Sequence, residues 1–355
     1  MKNTDIYEMK RGQLKRVAQV RERLRKTPDL VWLFFELTTV CNLQCRHCGS
    51  SCRGNGICLE PDMITKALEG LDPRRVCIAL TGGEPMLHPQ FYEICRAIKD
   101  RGFRWGMTSN ATLIDRKAAE RLKEVGLGSV SVSLDGMEAS HDWMRRREGA
   151  WRQALAGIHA LMDVGIDPQV TTVIHPKNLS ELEQMEGFLR QEGIRSWRII
   201  NVEPIGRARD SELLPDRDTF RTIIRFIRER RSQGDMDVTF GCSHYLGVDT
   251  ERMVRDEYFL CGAGITVASI RANGDICACL DIENRPELVQ GNIHTDSFMD
   301  VWKNRFRFFR QDRTQYCAKC MECPDREICG GDSTHTWDFD RNEPMLCGKE
   351  FMEDR

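Results

Sequence analysis

VWLFFELTTVCNLQCRHC (31–48) is the stretch from which the rest of the chain is read. Its first eight residues, VWLFFELT (31–38), form a short apolar run suited to a strand buried on both faces. Three cysteines follow at once. Cys41, Cys45 and Cys48 are separated by three and then two residues, so they fall on the loop at the C-terminal end of that strand.

Five further runs read as strands of the same kind: VCIALT (76–81), RWGMTS (104–109), SVSVSL (129–134), QVTTVI (169–174) and WRIINV (197–202). Between them apolar residues recur at helical spacing. Phe91, Ile94, Cys95 and Ile98 make one such face, Ala118, Leu122 and Val125 a second, and Leu155, Ile158 and Leu161 a third. Gly102, Gly126 and Gly165 follow these segments, where a left-handed cap is wanted. Strands that alternate with helices imply parallel pairing and right-handed crossovers. The expected fold class is therefore α/β: a partial (β/α)6 TIM-like barrel, open or closed, over residues 30–235. It ends with the amphipathic helix DTFRTIIRFIRERRSQG (218–234).

Residues 1–29 precede the barrel and hold a basic helix over 6–26. Its narrow apolar stripe is Val17, Val20 and Leu24, which fits a helix lying on the domain surface or an element that docks a partner. Beyond the barrel, residues 236–355 are expected to form a small Cys-rich irregular domain with a β-hairpin. ITVASIRANGDICACL (265–280) reads as that hairpin, turning at Ala272 to Asp275, and SFMDVWKNRFRFFR (297–310) as the clearest helical stretch.

The formal net charge is −2 over 355 residues, which demands neither nucleic acid nor an anionic membrane as partner. The opening MKNTDIYEMKRGQLKR is too charged for a signal peptide, and no run is long and apolar enough to span a bilayer. A cytoplasmic location is expected. Sixteen cysteines in a reducing compartment point to metal binding more than to disulfides.

Three thiolates on one tight loop can cap three irons of a cubane cluster and leave the fourth iron open. A zinc site or inert buried thiols is the alternative for this loop taken alone. Thr81-Gly82-Gly83-Glu84-Pro85 follows the second strand, again on the C-terminal side, the end that carries the active site in β/α barrels. Two glycines let a ligand approach the backbone, and Glu84 can accept hydrogen bonds from an ammonium group. By itself this could be an ordinary turn.

With both motifs in order, the chain resembles a radical S-adenosylmethionine (SAM) enzyme, whose signature is a CxxxCxxC loop after strand one and GGEP after strand two. Further matches follow over roughly residues 30–235. Ser109-Asn110-Ala-Thr112 resembles the family's ribose-side loop, and Ser131-Val-Ser133-Leu-Asp135-Gly136 the SAM-contacting strand end. His141-Asp142-Trp-Met-Arg145 resembles the stretch that often supplies an arginine near the SAM carboxylate, and Pro204-Ile-Gly206-Arg207-Ala208 follows the sixth strand as expected. Position 47, often aromatic in the family, is His47. The resemblance implies that Cys41, Cys45 and Cys48 hold a [4Fe–4S] cluster. It also implies that Gly82, Gly83, Glu84, Pro85, Ser109, Asn110, Ser133, Asp135 and Arg145 contribute to SAM binding. For Asp135, capping of the following helix is the other reading.

The later cysteines resemble the SPASM extension of such enzymes, which binds auxiliary iron–sulfur clusters. Cys261, Gly274 and Cys279 match its first half, and Cys320-x2-Cys323-x5-Cys329 with Cys347 its second. The pattern expects a cysteine four residues after Cys329, where this chain has Ser333. The first auxiliary cluster then draws on Cys261, Cys277 and Cys279, with Asp332, Ser333, Cys242, Cys317 or an exogenous group as fourth ligand, or it is absent. The second has Cys320, Cys323, Cys329 and Cys347. A zinc-ribbon tail is the alternative, because Cys317-x2-Cys320-x2-Cys323 holds paired spacings. Cys77 and Cys95 read as buried small hydrophobes, and Cys52 and Cys58 as structural. No residue is singled out as catalytic acid or base. His141, His175, His244 and His335 read as ordinary polar residues.

The function the resemblance implies is reductive SAM cleavage to a 5′-deoxyadenosyl radical that abstracts hydrogen from a substrate. A ribosomally made peptide or protein side chain, crosslinked or oxidised, is the first expectation. Its leader would need a separate protein, the basic helix at 6–26, or no leader at all. A small metabolite or cofactor precursor, as in tetrapyrrole or quinone pathways, is the alternative, and a non-enzymatic zinc scaffold a third. The implied partners are that substrate and an electron donor such as a ferredoxin or flavodoxin.

Overall fold

A computed structural model describes residues 3–50, 52, 56–209, 211–241 and 243–353. Seven parallel strands stand side by side in chain order: β1 (Trp32–Glu36), β2 (Cys77–Thr81), β3 (Arg104–Ser109), β4 (Leu127–Ser133), β5 (Gln169–Ile174), β6 (Ser196–Asn201) and β7 (Asp237–Phe240). Helices α1 (Asn3–Lys26), α2 (Pro61–Ala67), α3 (Phe91–Asp100), α4 (Arg116–Glu124), α5 (Glu138–Arg145), α6 (Ala150–Asp163), α7 (Leu182–Gln191) and α8 (Arg217–Gln233) precede and separate them. The α/β partial barrel expected from sequence is present, with β7 as a further strand beside β6.

Most strands bury one face wholly and the other in part. Leu33 and Phe35 of β1 and Ile78 and Leu80 of β2 are at 0% exposure, whereas Phe34, Cys77 and Ala79 on the opposite face are half-buried. The wholly buried face meets the helices; the other lines an open barrel, so Cys77 is not the fully buried thiol expected. On the helix side, Phe91, Ile94, Cys95 and Ile98 of α3 are all buried as their spacing requires. In α4 the inward alanine is Ala119 rather than Ala118, since Asp115 caps the helix by accepting the Ala118 amide at 2.7 Å and so fixes its phase. Gly102, Gly126 and Gly165 have φ of +82°, +81° and +78°, as caps of that kind need.

The tail is not a detached unit. Its hairpin, β8 (Val267–Ile270) and β9 (Asp275–Cys277), pairs through β8 in parallel with β1, Trp32 opposite Val267. β10 (Gly291–Asn292) then closes that end of the sheet. One apolar core runs from the barrel into the tail and takes in Ile276, Phe298, Trp302 and Phe306. The stretch 297–310 is two helices, Phe298–Asn304 and Arg307–Arg310. Arg310 folds back to donate to the Trp302 carbonyl at 2.6 Å, satisfying a terminal carbonyl of the first.

α1 lies against the tail. Leu14, Ala18 and Arg21 face inward, and Val20, placed on the stripe from sequence, is 38% exposed. The phase is set by Arg21, whose guanidinium is buried against the carbonyls of Ile328 (2.8 Å) and Glu327. Arg11 adds the Pro324 carbonyl at 2.9 Å and an ion pair to Asp325 at 3.3 Å.

Candidate cofactor site

Cys41, Cys45 and Cys48 sit on the loop that leaves β1, packed with Leu43 and Ala150. Two neighbouring turns grip that loop. From the end of β2, the Gly83 amide donates to the Thr38 carbonyl at 2.6 Å and the Glu84 amide to the Val40 carbonyl at 2.9 Å. A Cβ on Gly83 would lie 2.1 Å from the Val40 oxygen, so only glycine permits this approach. From the segment after β6, the Arg207 amide donates to the Cys48 carbonyl (3.0 Å) and its Nε to the Cys45 carbonyl (2.7 Å). Arg207 Nη1 reaches the Cys52 carbonyl at 3.5 Å. Gly206, at φ +53°, is just as constrained: a Cβ there would lie 2.3 Å from the Cys48 oxygen.

Two buried carboxylates stand over the loop. Glu84, 1% exposed, accepts from Ser109 Oγ and the Asn110 amide, each at 2.8 Å, and more loosely from the Met86 amide at 3.5 Å. Burial pushes its carboxyl up to about 7 against the pull of those donors. The Asn110 side chain donates to Asn42 within the cysteine loop at 2.9 Å, and Asn42 in turn donates to Thr112 at 2.8 Å. The residues after β2 and β3 thus form one hydrogen-bonded set with the cysteine loop. Pro85 opens the short turn after Glu84, and Ser133 ends β4, half-buried.

Asp135 is fully buried. Burial opposes its charge, but Arg145, with Nη2 at 2.7 Å, and His47, with Nε2 at 3.8 Å, hold its carboxyl below the usual range. It does not cap the following helix, whose N-cap is Met137; its Oδ1 takes the Val173 amide of β5 at 3.1 Å instead. Arg145 spans from Asp135 to Cys45, where Nη1 lies 3.5 Å from Sγ.

These groups suit a cluster with anionic sulfur ligands. The Leu43 amide donates to Cys41 Sγ at 3.4 Å and Arg145 faces Cys45 Sγ. The Cys48 thiol is drawn below its ordinary value by a hydrogen bond with Cys52 and by the charges of Arg207 and Arg145. Buried Arg145 Nε and His47 Nδ1 have no protein partner among the described residues, which fits a polar ligand bound beside them.

In the tail, the sequence pattern divides the cysteines into two groups. Cys261 Sγ lies 3.1 Å from Thr334 Oγ1. Cys279 follows β9 with Asp281 beside it at 3.9 Å, and Cys277 is buried within β9, its thiol pushed up to about 11 by burial. The second group gathers around Cys347. Cys320 is in electrostatic reach of Cys317, Cys347 and Cys323, and Cys329 of Cys347. Donors face its sulfurs: the Asp332 amide on Cys329 at 3.2 Å and Lys349 Nζ on Cys323 at 3.5 Å. Burial pushes the thiols of Cys320, Cys329 and Cys347 up, so a bound metal would be what holds them as thiolates. Among the groups weighed as a spare ligand for Cys261, Cys317 sits in the second group, accepting the Cys320 amide at 3.4 Å. The Asp332 carboxylate is engaged by His244 and three backbone amides, and Ser333 Oγ accepts the His244 amide at 3.3 Å. Cys242 lies outside the described residues.

Arg207 stands in the Pro204-Ile-Gly206-Arg207-Ala208 motif, and only the structure gives it a task. Its signal is the Gly-Arg pair directly after a strand end. His244, buried between Glu203 and Asp332, carries no sequence signal at all.

Comparison with known proteins adds to this geometry. Residues 35–189 match the family model of the radical SAM superfamily, and residues 261–324 that of the SPASM iron–sulfur cluster-binding domain. An AdoMet-dependent heme synthase of Nitratidesulfovibrio vulgaris is 29% identical over 331 residues, 86% of this chain and 88% of that protein. The mycofactocin maturase MftC of Mycobacterium tuberculosis is 27% identical over 308 residues, 85% of this chain and 77% of that protein. The crystal structure of Streptococcus suis SuiB bound to its precursor peptide SuiA superposes with a TM-score of 0.75 at 17% identity, covering 92% of this chain and 76% of SuiB.

Proposed function

The chain belongs to the radical SAM superfamily and carries a SPASM iron–sulfur domain, and from that premise we propose that Cys41, Cys45 and Cys48 hold its SAM-binding cluster and that it oxidises an organic substrate by hydrogen abstraction. The observation that carries this is the convergence of the GGEP turn, Arg145 and Arg207 on one three-cysteine loop. A [4Fe–4S] cluster with SAM supplies one-electron reduction and a 5′-deoxyadenosyl radical there.

The chain's own residues bind and orient. Glu84 presents a buried carboxylate to an ammonium group, and the Glu84–Ser109–Asn110–Asn42 set fixes its direction. Arg145, its charge upheld by Asp135, faces Cys45 and would offer its remaining N–H to the carboxylate of bound SAM. Arg207 keeps the loop closed. Among the described residues no helix is long and apolar enough to cross a membrane. A reducing cytoplasm suits so many thiols, and a ferredoxin or flavodoxin suits the electron supply.

For the substrate, a peptide or protein side chain is supported by the similarity to the mycofactocin maturase. A tetrapyrrole-class cofactor precursor is the second reading, favoured by the longer match to the heme synthase, 88% of that protein's length. α1 is spent on the tail and so is poorly placed to recognise a leader. The test is deuterium transfer into 5′-deoxyadenosine from candidate labelled substrates of both classes, anaerobically with SAM and reductant. Transfer from a peptide supports the first reading and transfer from a tetrapyrrole the second. Deoxyadenosine formed with neither, and no label moved, would remove both classes.

A further inference from the structure

His244 lies wholly buried where the barrel meets the tail. Nε2 is 3.0 and 3.1 Å from the two oxygens of Glu203, and Nδ1 is 3.2 Å from Asp332 Oδ1. Both His244 (φ +55°) and Asp332 (φ +60°) adopt the left-handed conformation, uncommon outside glycine although Asp and His enter it more readily than most residues. Two strained residues held face to face indicate that the contact between them fixes the local backbone.

That backbone is the support of the second cysteine group. The Asp332 amide donates to Cys329 Sγ at 3.2 Å. Its carboxylate collects the amides of Tyr245 (3.2 Å), Ser333 (2.7 Å) and Gly348 (3.1 Å), and Gly348 directly follows Cys347. Asp332 therefore ties the Cys329 and Cys347 loops together, and His244 anchors Asp332 to Glu203 at the end of β6. Ser333, standing where the SPASM pattern has a cysteine, leaves this ion triad as the joint at that point.

We propose that His244 is a positioning residue for the auxiliary cluster of Cys320, Cys323, Cys329 and Cys347: by holding Asp332 it keeps the Asp332 amide on Cys329 Sγ and so sets that cluster's reduction potential. An N–H donor on a ligand sulfur stabilises the reduced cluster, so its loss lowers the potential. The proposal rests on the ligand assignment above.

The test is an EPR-monitored redox titration of the anaerobically reconstituted full chain, with iron and sulfide counted. The signal of this cluster is identified as the one lost in Cys329→Ala. In His244→Ala that signal shifts to lower potential, His244→Gln restores part of the shift, and the signal of the Cys41, Cys45 and Cys48 cluster stays put. Glu203→Gln, a milder change, gives a smaller shift of the same sign and serves if His244→Ala does not fold. An unchanged potential in either variant with full iron content overturns the proposal. If Cys329→Ala removes no signal and no iron, the ligand assignment has failed instead.

Discussion

Arg207 holds three carbonyls of one loop with a single side chain and its own amide. Hydrogen bonds from a charged donor contribute about 1.5–3 kcal/mol each. Arg207→Ala should therefore release the cysteine loop and lower both iron retention and 5′-deoxyadenosine formation at least about tenfold. Arg207→Lys, which keeps the charge without the fork, should fall between. Wild-type iron and rate in the alanine variant would remove Arg207 from the account. A second residue-level expectation concerns pH. His141 and His175 are each 1% exposed, and burial lowers their imidazoles from 6.5 to about 4. Both are neutral in the folded chain and protonate more readily once it unfolds. Their contribution is thus intact above about 6.5 and is lost as pH falls toward about 4. The melting temperature should drop across that window, and His141→Gln should make the drop shallower. An identical slope in the variant would count against a buried neutral His141.

At the scale of elements, α1 is a strap on the tail and not a free arm. Arg21→Ala leaves the buried carbonyls of Glu327 and Ile328 without their donor, a cost of about 2 kcal/mol, readable as a melting temperature lower by several degrees. Gly330→Ala should do comparable damage from the other side, since its φ is +70° and a Cβ would lie 2.4 Å from Arg21 Cζ. A melting temperature unchanged in both would mean that α1 does not stabilise the tail. The six long strands were legible in the sequence because each is a short run rich in apolar and β-branched residues between helical segments, and the Cys-x3-Cys-x2-Cys and GGEP motifs were legible because they sit at strand ends. β7 was not, since DVTF (237–240) is only four residues long and opens with an aspartate. The phase of α1 was not either. Spacing puts Val20 on the apolar stripe, yet it is exposed while Arg21 is buried, and the contact that sets this phase is with carbonyls some 300 positions away. Local periodicity cannot see such a partner. The same holds for His244, whose partners Glu203 and Asp332 are 41 and 88 residues distant.

For the whole molecule, barrel and tail share one sheet and one core, so the cysteines of the tail are carried on the frame that carries the Cys41–Cys48 loop. The most direct test of the account is anaerobic reconstitution, followed by iron and sulfide quantification and a 5′-deoxyadenosine assay with SAM and reductant, on the natural chain and on Cys45→Ala. At four irons per cubane, about eight to twelve irons with matching sulfide are expected, with deoxyadenosine formed by the natural chain. Cys45→Ala should form none while keeping the absorbance of its auxiliary clusters. Zinc without sulfide, and no deoxyadenosine from the natural chain, would contradict the account.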